Sequence, residues 1–240
     1  MGAPGRRLVI VLGIETATAQ VGCALGGVEG VFASFHASRG RRHAETLVPA
    51  IQFVCETAQV ELSEVSVIAV DVGPGLFTGL RVGIATAKAM ASALRVPMIG
   101  LSSLDLLAHQ VRHSPRLIVP VLDGKRGEVF SATYRHVQGG IQRLSEPRVG
   151  TAEDLANELR AGRDEALLVG DGALRYADVL AEDGGQFELG PVGNQWPSAA
   201  DLVELAHPRA LREEFVQPWQ LEPLYLRKSD AEINWDKRSA

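Results

Sequence analysis

The stretch DVGPGLFTGLRVGIATAKAM, residues 71–90, has the glycine-rich composition of a phosphate-binding loop that opens a helix. A Walker loop requires a lysine directly after its second glycine, because that lysine reaches the outer phosphates of the nucleotide. Leu80 follows Gly79, so the lysine is missing. A dinucleotide fingerprint requires a third glycine where Thr78 stands. Neither kind of nucleotide-binding loop is predicted.

The same stretch predicts a strand, a sharp turn and a helix. Residues 65–70 are mostly β-branched and apolar, which is typical of a buried strand that ends at Asp71. Glycine and proline at positions 73–75 break this strand. Thr78 is placed to cap a helix that begins near Gly79.

The predicted helix is unusual because it is apolar on nearly every side. Small residues recur at every fourth position, as Gly79, Gly83, Ala87 and Ala91. Such a column lets another backbone approach closely. A helix without a polar face packs in the core of its own domain or against a partner, and the pattern alone leaves both alternatives open.

Composition indicates an ordinary globular protein. The chain has 240 residues, of which 46% are hydrophobic and 22% are charged, and it could form one large domain or two lobes. The net charge of -5 argues against a broad basic surface, so any contact with RNA would be local. The best local candidate is the loop with Arg39, Arg41 and Arg42, although such arginines are more often merely solvated.

The cysteines and the first residues favour a cytoplasmic protein. Cys23 and Cys55 lack the spacing of a metal or redox motif, which suits a reducing compartment and small core residues. A basic pair before the apolar residues 8–14 imitates a signal peptide, but Glu15 interrupts the run, which we expect to form a strand. No run approaches membrane-spanning length.

Hydrophobic spacing predicts an α/β chain with mixed strands. The predicted strands span residues 8–14, 20–26, 31–35, 65–71, 98–100, 117–122 and 129–134. The predicted helices span residues 43–57, 79–94, 102–111, 151–160, 173–180 and 198–206, and residues 182–197 are predicted to form a long loop.

The first predicted helix has a core stripe and an apolar outer side. Leu47, Ile51 and Val54 form the stripe, which Val48 flanks. Pro49 and Phe53 fall off the stripe without being polar. Pro49 is expected to kink the helix or to move its start, because proline lacks the amide donor and clashes with the preceding turn.

The two halves of the chain begin alike. In each, an apolar strand ends in a carboxylate, Glu15 or Asp123, and a polar turn and a second strand follow. A match in three consecutive parts indicates an internal duplication.

Two lobes that open in this way resemble the actin, sugar-kinase and Hsp70 superfamily. Within it, the chain specifically resembles the TsaB (YeaZ) family of bacterial tRNA threonylcarbamoyladenosine biosynthesis proteins. The matching segments are LGIETAT (12–18), RRHAETLVPAI (41–51), DVGPGLFTGLRVGIATAKAMA (71–91), VPMIGLSSLDLLA (96–108), VLDGKRGEVF (121–130) and EPLYLR (222–227). Leu76 departs from the serine that is usual in the glycine-rich segment.

The resemblance implies an actin-like, RNase H-like duplicated α/β fold with two lobes of mixed β-sheet flanked by helices. It implies an N-terminal lobe at residues 1–110, which carries the partner-binding helices, and a more degenerate C-terminal lobe with a tail at 111–240. In the related enzyme TsaD, two histidines bind a metal. Their positions fall on Ser103 and Leu107, which cannot replace an imidazole, so no metal site, catalytic residue or intrinsic cofactor is expected.

The resemblance also implies a non-catalytic subunit that binds TsaD, with TsaE, for threonylcarbamoylation of adenosine 37 in tRNAs that read codons starting with A. ATP or ADP and metal are expected on the partner subunits, and tRNA is contacted through the complex. The same surface is expected to form a homodimer when the chain is alone. The helix column is therefore assigned to the crossing with the partner, and the predicted binding residues are Thr46, Pro49, Phe53, Gly79, Gly83, Ala87 and Met90.

Two other functions stay open on the residues. Glu15 and Asp123 could be the carboxylate pair of a small-molecule kinase with this fold, although the turn after Asp123 is poor in the hydroxyl groups that bind phosphate. A metallopeptidase, related to glycopeptidases, would require a metal motif or nucleophile that the sequence does not display.

Overall fold

The computed structural model of the chain describes residues 8–38, 42–162, 164–180 and 186–227. In these ranges the helices are α1 (His43–Ala58), α2 (Phe77–Leu94), α3 (Ser103–Gln110), α4 (Ala152–Gly162), α5 (Asp171–Arg175), α6 (Ala177–Leu180) and α7 (Ala199–Leu211). The strands are β1 (Val11–Glu15), β2 (Val21–Gly27), β3 (Gly30–Ala37), β4 (Val67–Gly73), β5 (Met98–Ser102), β6 (Leu117–Lys125), β7 (Glu128–Ser131), β8 (Tyr134–Val137), β9 (Gly140–Arg143), β10 (Arg148–Thr151), β11 (Ala166–Val169) and β12 (Phe187–Leu189).

The chain divides into two compact units, each built on one mixed sheet. The first unit comprises Met1–Val72, Gly79–Leu101 and Ser198–Glu222, and the second comprises Gly73–Thr78, Ser102–Pro197 and Pro223–Ala240. The first sheet has the order β3-β2-β1-β4-β5, and the main path of the second has the order β10-β7-β6-β11-β12. The predicted duplicated α/β fold, with mixed sheets flanked by helices, is confirmed.

The two sheets repeat the same pairing pattern. In the first, β3, β2 and β1 pair antiparallel and β4 pairs parallel with β1. In the second, β10, β7 and β6 pair antiparallel and β11 pairs parallel with β6. The hairpin of β8 and β9 is an addition to the second sheet. This correspondence supports the duplication that the strand and carboxylate pattern predicts.

Helices cover both faces of the first sheet. Leu12 and Ile14 of β1 lie in one core with apolar residues of α1 and α2. Gly13 lies between them in sequence and therefore faces the opposite side, because side chains alternate along a strand. A Cβ added at Gly13 would approach Ala199 and Val203 of α7 to 3.0 Å, so the glycine allows α7 to pack closely.

A buried tyrosine attaches the extra hairpin to the second unit. The Tyr134 hydroxyl, at the start of β8, donates to Asp105 of α3 at 2.9 Å. The guanidinium of Arg143, at the end of β9, donates to both oxygens of the same carboxylate at 2.7 and 2.8 Å. Such charge-assisted bonds are among the stronger polar contacts in proteins.

Several predicted boundaries are wrong. α2 begins at Phe77, so Thr78 lies in its first turn and is not its cap. The predicted strand 129–134 is split between β7 and β8, and the predicted helix 173–180 is the pair α5 and α6. Residues 182–185 of the predicted loop 182–197 lie outside the described residues, and the rest contains β12 and a short 3-10 helix at Val192–Asn194. Pro49 lies inside α1 and does not move its start from His43.

The two compact units do not coincide with the predicted lobes, which comprise residues 1–110 and 111–240. α3 belongs to the second unit because Leu104, Leu107 and Ala108 pack into the same core as Ile118 of β6. The segment Ser198–Glu222 belongs to the first unit because α7 packs on the first sheet. Among the described residues, no helix is long and apolar enough to cross a membrane.

The packing of α7 on Gly13 predicts the effect of a larger side chain there. Gly13→Val should lower the free energy of unfolding by about 1–3 kcal/mol, because the added methyl groups overpack the contact with Val203. The matched control is Gly150→Val in β10, where an added Cβ meets nothing within 4 Å and the expected change is below about 1 kcal/mol. Urea unfolding of both variants measures the difference, and equal midpoints would contradict the packing.

Candidate partner-binding surface

The small-residue column of α2 faces the protein's own core. Ala87 is 0% exposed, and Gly79, Gly83 and Ala91 are also buried. A Cβ at Gly79 would overlap the Thr16 carbonyl oxygen, and one at Gly83 would overlap the Thr16 hydroxyl. The backbone that approaches this column is therefore the turn after β1. The prediction that Gly79, Gly83 and Ala87 lie at a crossing with a partner is wrong in its placement.

The turn after β1 holds both candidate helices in place. The Thr16 hydroxyl donates to the Gly79 carbonyl oxygen of α2 at 2.8 Å. The Thr18 carbonyl oxygen accepts from Nε2 of His43, the first residue of α1, at 2.9 Å. Inside the turn, the Glu15 carboxylate accepts from the Ala17 amide at 2.7 Å. These contacts link one short turn to the amino ends of α1 and α2.

The outer side of α1 exposes large apolar groups. Phe53 and Val48 are 54% and 53% exposed, and Pro49 is also exposed. The Phe53 ring meets the Phe35 ring edge-on, with 6.3 Å between centroids, so the first-unit sheet supports it from one side. Thr46 is half-buried. Val48 was predicted to flank the core stripe, and its exposure corrects that placement.

The outer side of α2 is formed by a second set of small residues, which sequence reasoning missed. Ala85 and Ala89 are exposed, and Met90 is half-buried against the first-unit core. Ala85, Ala89 and Ala93 also recur at every fourth position, so the sequence contains two small columns on different sides of one helix. Periodicity shows that both columns exist, and only the packing shows which of them is accessible.

We use the name outer face for the exposed residues Val48, Pro49, Phe53, Ala85 and Ala89 together with the half-buried Met90. Its members combine two bulky apolar side chains on α1 with a low surface on α2, where another backbone can come close. Exposed apolar groups of this kind are common at protein-protein contacts. The outer face is therefore the candidate partner-binding surface of the first unit.

The arginine loop lies mostly outside the described residues. Arg39 and Arg41 are not among them, and only Arg42 can be placed. Arg42 directly precedes α1, and its guanidinium lies 3.4 Å from the Glu45 carboxylate, with both side chains 72% exposed. A surface pair of this kind contributes little to stability. Contact with RNA stays a prediction.

Neither of the two positions to which the resemblance assigns the metal ligands of TsaD is accessible. Leu107 is 0% exposed in the second-unit core, and Ser103 is also fully buried at the start of α3. Cys23 is buried as predicted, and burial, with a smaller effect of Cys55, raises the pKa of its thiol to about 12. Cys55 itself is only half-buried.

Glu15 and Asp123, which would be the carboxylate pair of a small-molecule kinase, make contacts within their own units. Glu15 is 0% exposed, and burial, with the neighbouring Asp71 as the second cause, raises its pKa well above the ordinary value. Asp123 accepts from the Lys125 ammonium at 2.6 Å and lies 3.5 Å from the Arg175 guanidinium. Both carboxyl groups make structural contacts, and this geometry does not favour a kinase site in which they act together on a phosphate group.

Comparison with known proteins identifies the family. A family model described as TsaD, tRNA N6-adenosine threonylcarbamoyltransferase, matches residues 31–235. The TsaB protein of Bacillus subtilis is 28% identical over 229 residues, which cover 94% of this chain and 97% of that protein. The TsaB protein of Escherichia coli is 29% identical over 230 residues, covering 95% and 97%.

The solved structure of a Pseudomonas aeruginosa protein supports the same family assignment as these relatives. It is described as an uncharacterised protein with similarity to the peptidase YeaZ, and it superposes with a TM-score of 0.80 at 27% identity. The superposition covers 92% of this chain and all of the other. An uncharacterised Mycobacterium tuberculosis protein is 34% identical over 191 residues, covering 80% of this chain and 78% of that one. The chain belongs to the TsaB (YeaZ) family of tRNA threonylcarbamoyladenosine biosynthesis proteins.

Proposed function

We propose that this chain is a non-catalytic subunit that binds a TsaD-type enzyme through its outer face and, with TsaE, supports threonylcarbamoylation of adenosine 37 in tRNAs that read codons starting with A. The observations that carry the proposal are the exposure of the large apolar side chains Phe53 and Val48 on α1 and the exposure of the small residues Ala85 and Ala89 on α2. Burial of the exposed parts of these two side chains would favour association, against the entropy cost of binding.

The shape of the outer face suits a helical partner. Ala85 and Ala89 are separated by one helical turn, so they form a shallow row that a second helix can approach. Phe53 and Val48 are exposed on α1, and aromatic side chains are enriched among the residues that dominate binding energy. A pair of helices from TsaD could therefore complete a bundle with α1 and α2.

The catalytic and metal functions are assigned to the partners. Ser103 and Leu107 stand in the core at the positions of TsaD's metal ligands, so ATP or ADP and metal are expected on TsaD and TsaE. Contact with tRNA is then indirect, with the loop of Arg39, Arg41 and Arg42 as the local candidate on this chain. The same outer face is proposed to form a homodimer when TsaD is absent, and the complex is proposed to act in the cytoplasm.

The proposal predicts that a glutamate has different effects at two positions of α2. Ala89→Glu should leave the chain folded but weaken binding to TsaD by at least about 100-fold, because an unpaired carboxylate buried in an interface costs about 3 kcal/mol or more. Ala87→Glu should instead unfold the first unit, because Ala87 lies in its core. Thermal melting and co-elution with TsaD measure both effects.

An exposed alanine in α4 provides the matched control for charge. Ala161→Glu adds the same carboxylate to a helix outside the outer face and should change neither folding nor binding. If Ala89→Glu bound TsaD as tightly as Ala161→Glu did, the outer face would not be the interface.

A second prediction concerns catalysis by the isolated chain. Without TsaD, the purified protein should transfer no threonylcarbamoyl group to tRNA, because no catalytic role is assigned to its residues. Chromatography of digested tRNA detects the modified nucleoside, and the same preparation supplemented with TsaD and TsaE is the positive control. Modification by this chain alone would overturn the non-catalytic role.

A further inference from the structure

A groove lies beside the last two turns of α1. It has a volume of about 480 Å³, and α1 and the chain that follows it form its two sides. Val60 lines this groove and also a neighbouring cavity of about 400 Å³, so the two spaces adjoin. The second cavity lies between residues 8–10, the turn that joins β2 to β3 and the end of α1. We use the name α1-end groove for the two spaces together, which are lined by residues of the first unit that include Ile51, Cys55, Glu56, Val60, Glu61 and Leu62.

The backbone that forms the α1-end groove is held by hydrogen bonds of its own. Gln59 ends α1 in the left-handed conformation, with a φ of 53°, which turns the chain back towards the helix. The Val60 amide donates to the Cys55 carbonyl oxygen at 3.1 Å. Beyond it, the Glu61 amide donates to the Glu64 carboxylate at 2.8 Å, at the start of a short 3-10 helix. Because the walls are already ordered, a bound segment need not supply the free energy for ordering them.

Apolar side chains line both parts of the α1-end groove. Ile51 is buried in the first-unit core, and Cys55 and Val60 pack against that core while remaining half-buried. Four large apolar side chains around the two spaces are exposed, namely Leu8, Val28, Phe32 and Leu62. An exposed apolar surface of this kind is a common sign of a binding site.

Every charged residue that lines the α1-end groove is acidic within the described part of the chain. Glu56 and Glu61 border the main space, and Glu29 borders the second. No ion pair with another described residue compensates these three carboxylates. α1 has no basic residue in its last turn, so the negative end of the helix dipole adds to the same potential. Burial, followed by the charges of Glu61 and Glu56, raises the pKa of the Cys55 thiol, which agrees with a negative groove.

The charge of the α1-end groove separates the possible occupants. RNA is disfavoured, because its phosphates would meet three carboxylates. A symmetric contact with a second copy is disfavoured as well, since it would bring the same acidic surface of both copies together. A protein segment with lysine or arginine complements the carboxylates, and apolar side chains in the same segment complement the lining. The long stems of lysine and arginine can themselves cover apolar surface.

We propose that the α1-end groove binds a partner protein through a short segment in which lysine or arginine stands beside apolar side chains. The cationic groups of that segment pair with Glu56 and Glu61, and its apolar side chains cover Val60 and Leu62. Charge pairs at an exposed rim act mainly on the association rate and its salt dependence, and apolar burial adds affinity. No residue that lines the groove belongs to the outer face, so this site does not depend on how TsaD binds.

Fluorescence anisotropy of labelled synthetic peptides, titrated with the full chain, tests the proposal. One peptide alternates leucine with lysine, the second alternates leucine with glutamate, and the third alternates serine with lysine. The leucine-lysine peptide should bind at least about tenfold more tightly than either of the others, because it alone offers positive charges together with apolar groups. Its dissociation constant should rise with salt. Equal binding of the three peptides, or no binding of the first, would overturn the proposal.

Substitutions in the α1-end groove show whether the peptide binds there. Glu56→Gln combined with Glu61→Gln removes both charges and keeps the size of the side chains, and it should weaken binding of the leucine-lysine peptide about three- to tenfold. The matched control, Glu153→Gln combined with Glu222→Gln, removes two exposed carboxylates outside the groove and should bind as the wild type does. If the two double variants bound the peptide equally well, the proposal would be wrong.

A second pair of variants tests the apolar lining and covers the case in which the first double variant does not fold. Leu62→Ser, at the rim of the groove, should weaken binding of the leucine-lysine peptide about threefold or more. Leu144→Ser changes an exposed leucine of the second unit and should leave the affinity unchanged. Equal affinities of these two variants would also contradict the proposal.

Two other occupants of the α1-end groove would give different results. Self-association of the wild type that is abolished by Glu56→Gln combined with Glu61→Gln would assign the groove to a second copy of the chain. Peptide binding that appears only after Arg6→Ala and Arg7→Ala would assign it to the chain's own arginines. Either result would overturn the partner segment.

Discussion

The first unit depends on the close approach of α2 to the turn after β1. Gly79 and Gly83 leave room for Thr16, whose hydroxyl bonds to the helix backbone at the same place. Any side chain at either glycine would separate the helix from the turn. Because His43 joins α1 to that turn as well, one contact region determines where both helices stand and which of their sides remain exposed.

Glycine performs the same role on the other face of the first sheet. Gly13, Gly22 and Gly26 lie against α7, while Leu12 and Ile14 point into the core beneath α1 and α2. The alternation of β1 therefore separates a tight helix contact from an ordinary apolar core. Glycines line the face of the sheet that packs against α7, whereas large apolar side chains line the face that packs against α1 and α2.

Patterns among neighbouring residues predicted much of this fold. The features that could not be predicted depend on packing between residues that are far apart in the sequence. Glu15 and Asp123 revealed the duplication because a strand, a carboxylate and a turn are neighbours in sequence. The assignment of Ala87 failed because its column and the column of Ala85 and Ala89 have the same period, and periodicity does not reveal what covers a helix side. Val48 is misplaced for a similar reason, since it adjoins the core residue Leu47 but points away from the core.

The division of the chain into its two compact units also could not be predicted from patterns among neighbouring residues. α7 follows the whole second sheet in sequence, yet it packs on β1, β2 and β3 of the first sheet. The sequence predicted only that residues 198–206 form a helix, and such a prediction does not identify the sheet against which the helix packs. The predicted helix itself was confirmed, from Ala199 to Leu211.

The return of α7 to the first sheet has a consequence for biosynthesis. A ribosome releases the chain from its amino end, so β1 to β5 emerge long before Ser198–Glu222 completes their unit. Until then, the glycine-lined face of β1 and β2 has no helix to cover it. The second unit has most of its residues available earlier, in Ser102–Pro197. The bulk of the second unit is therefore synthesised before the first unit receives its last segment.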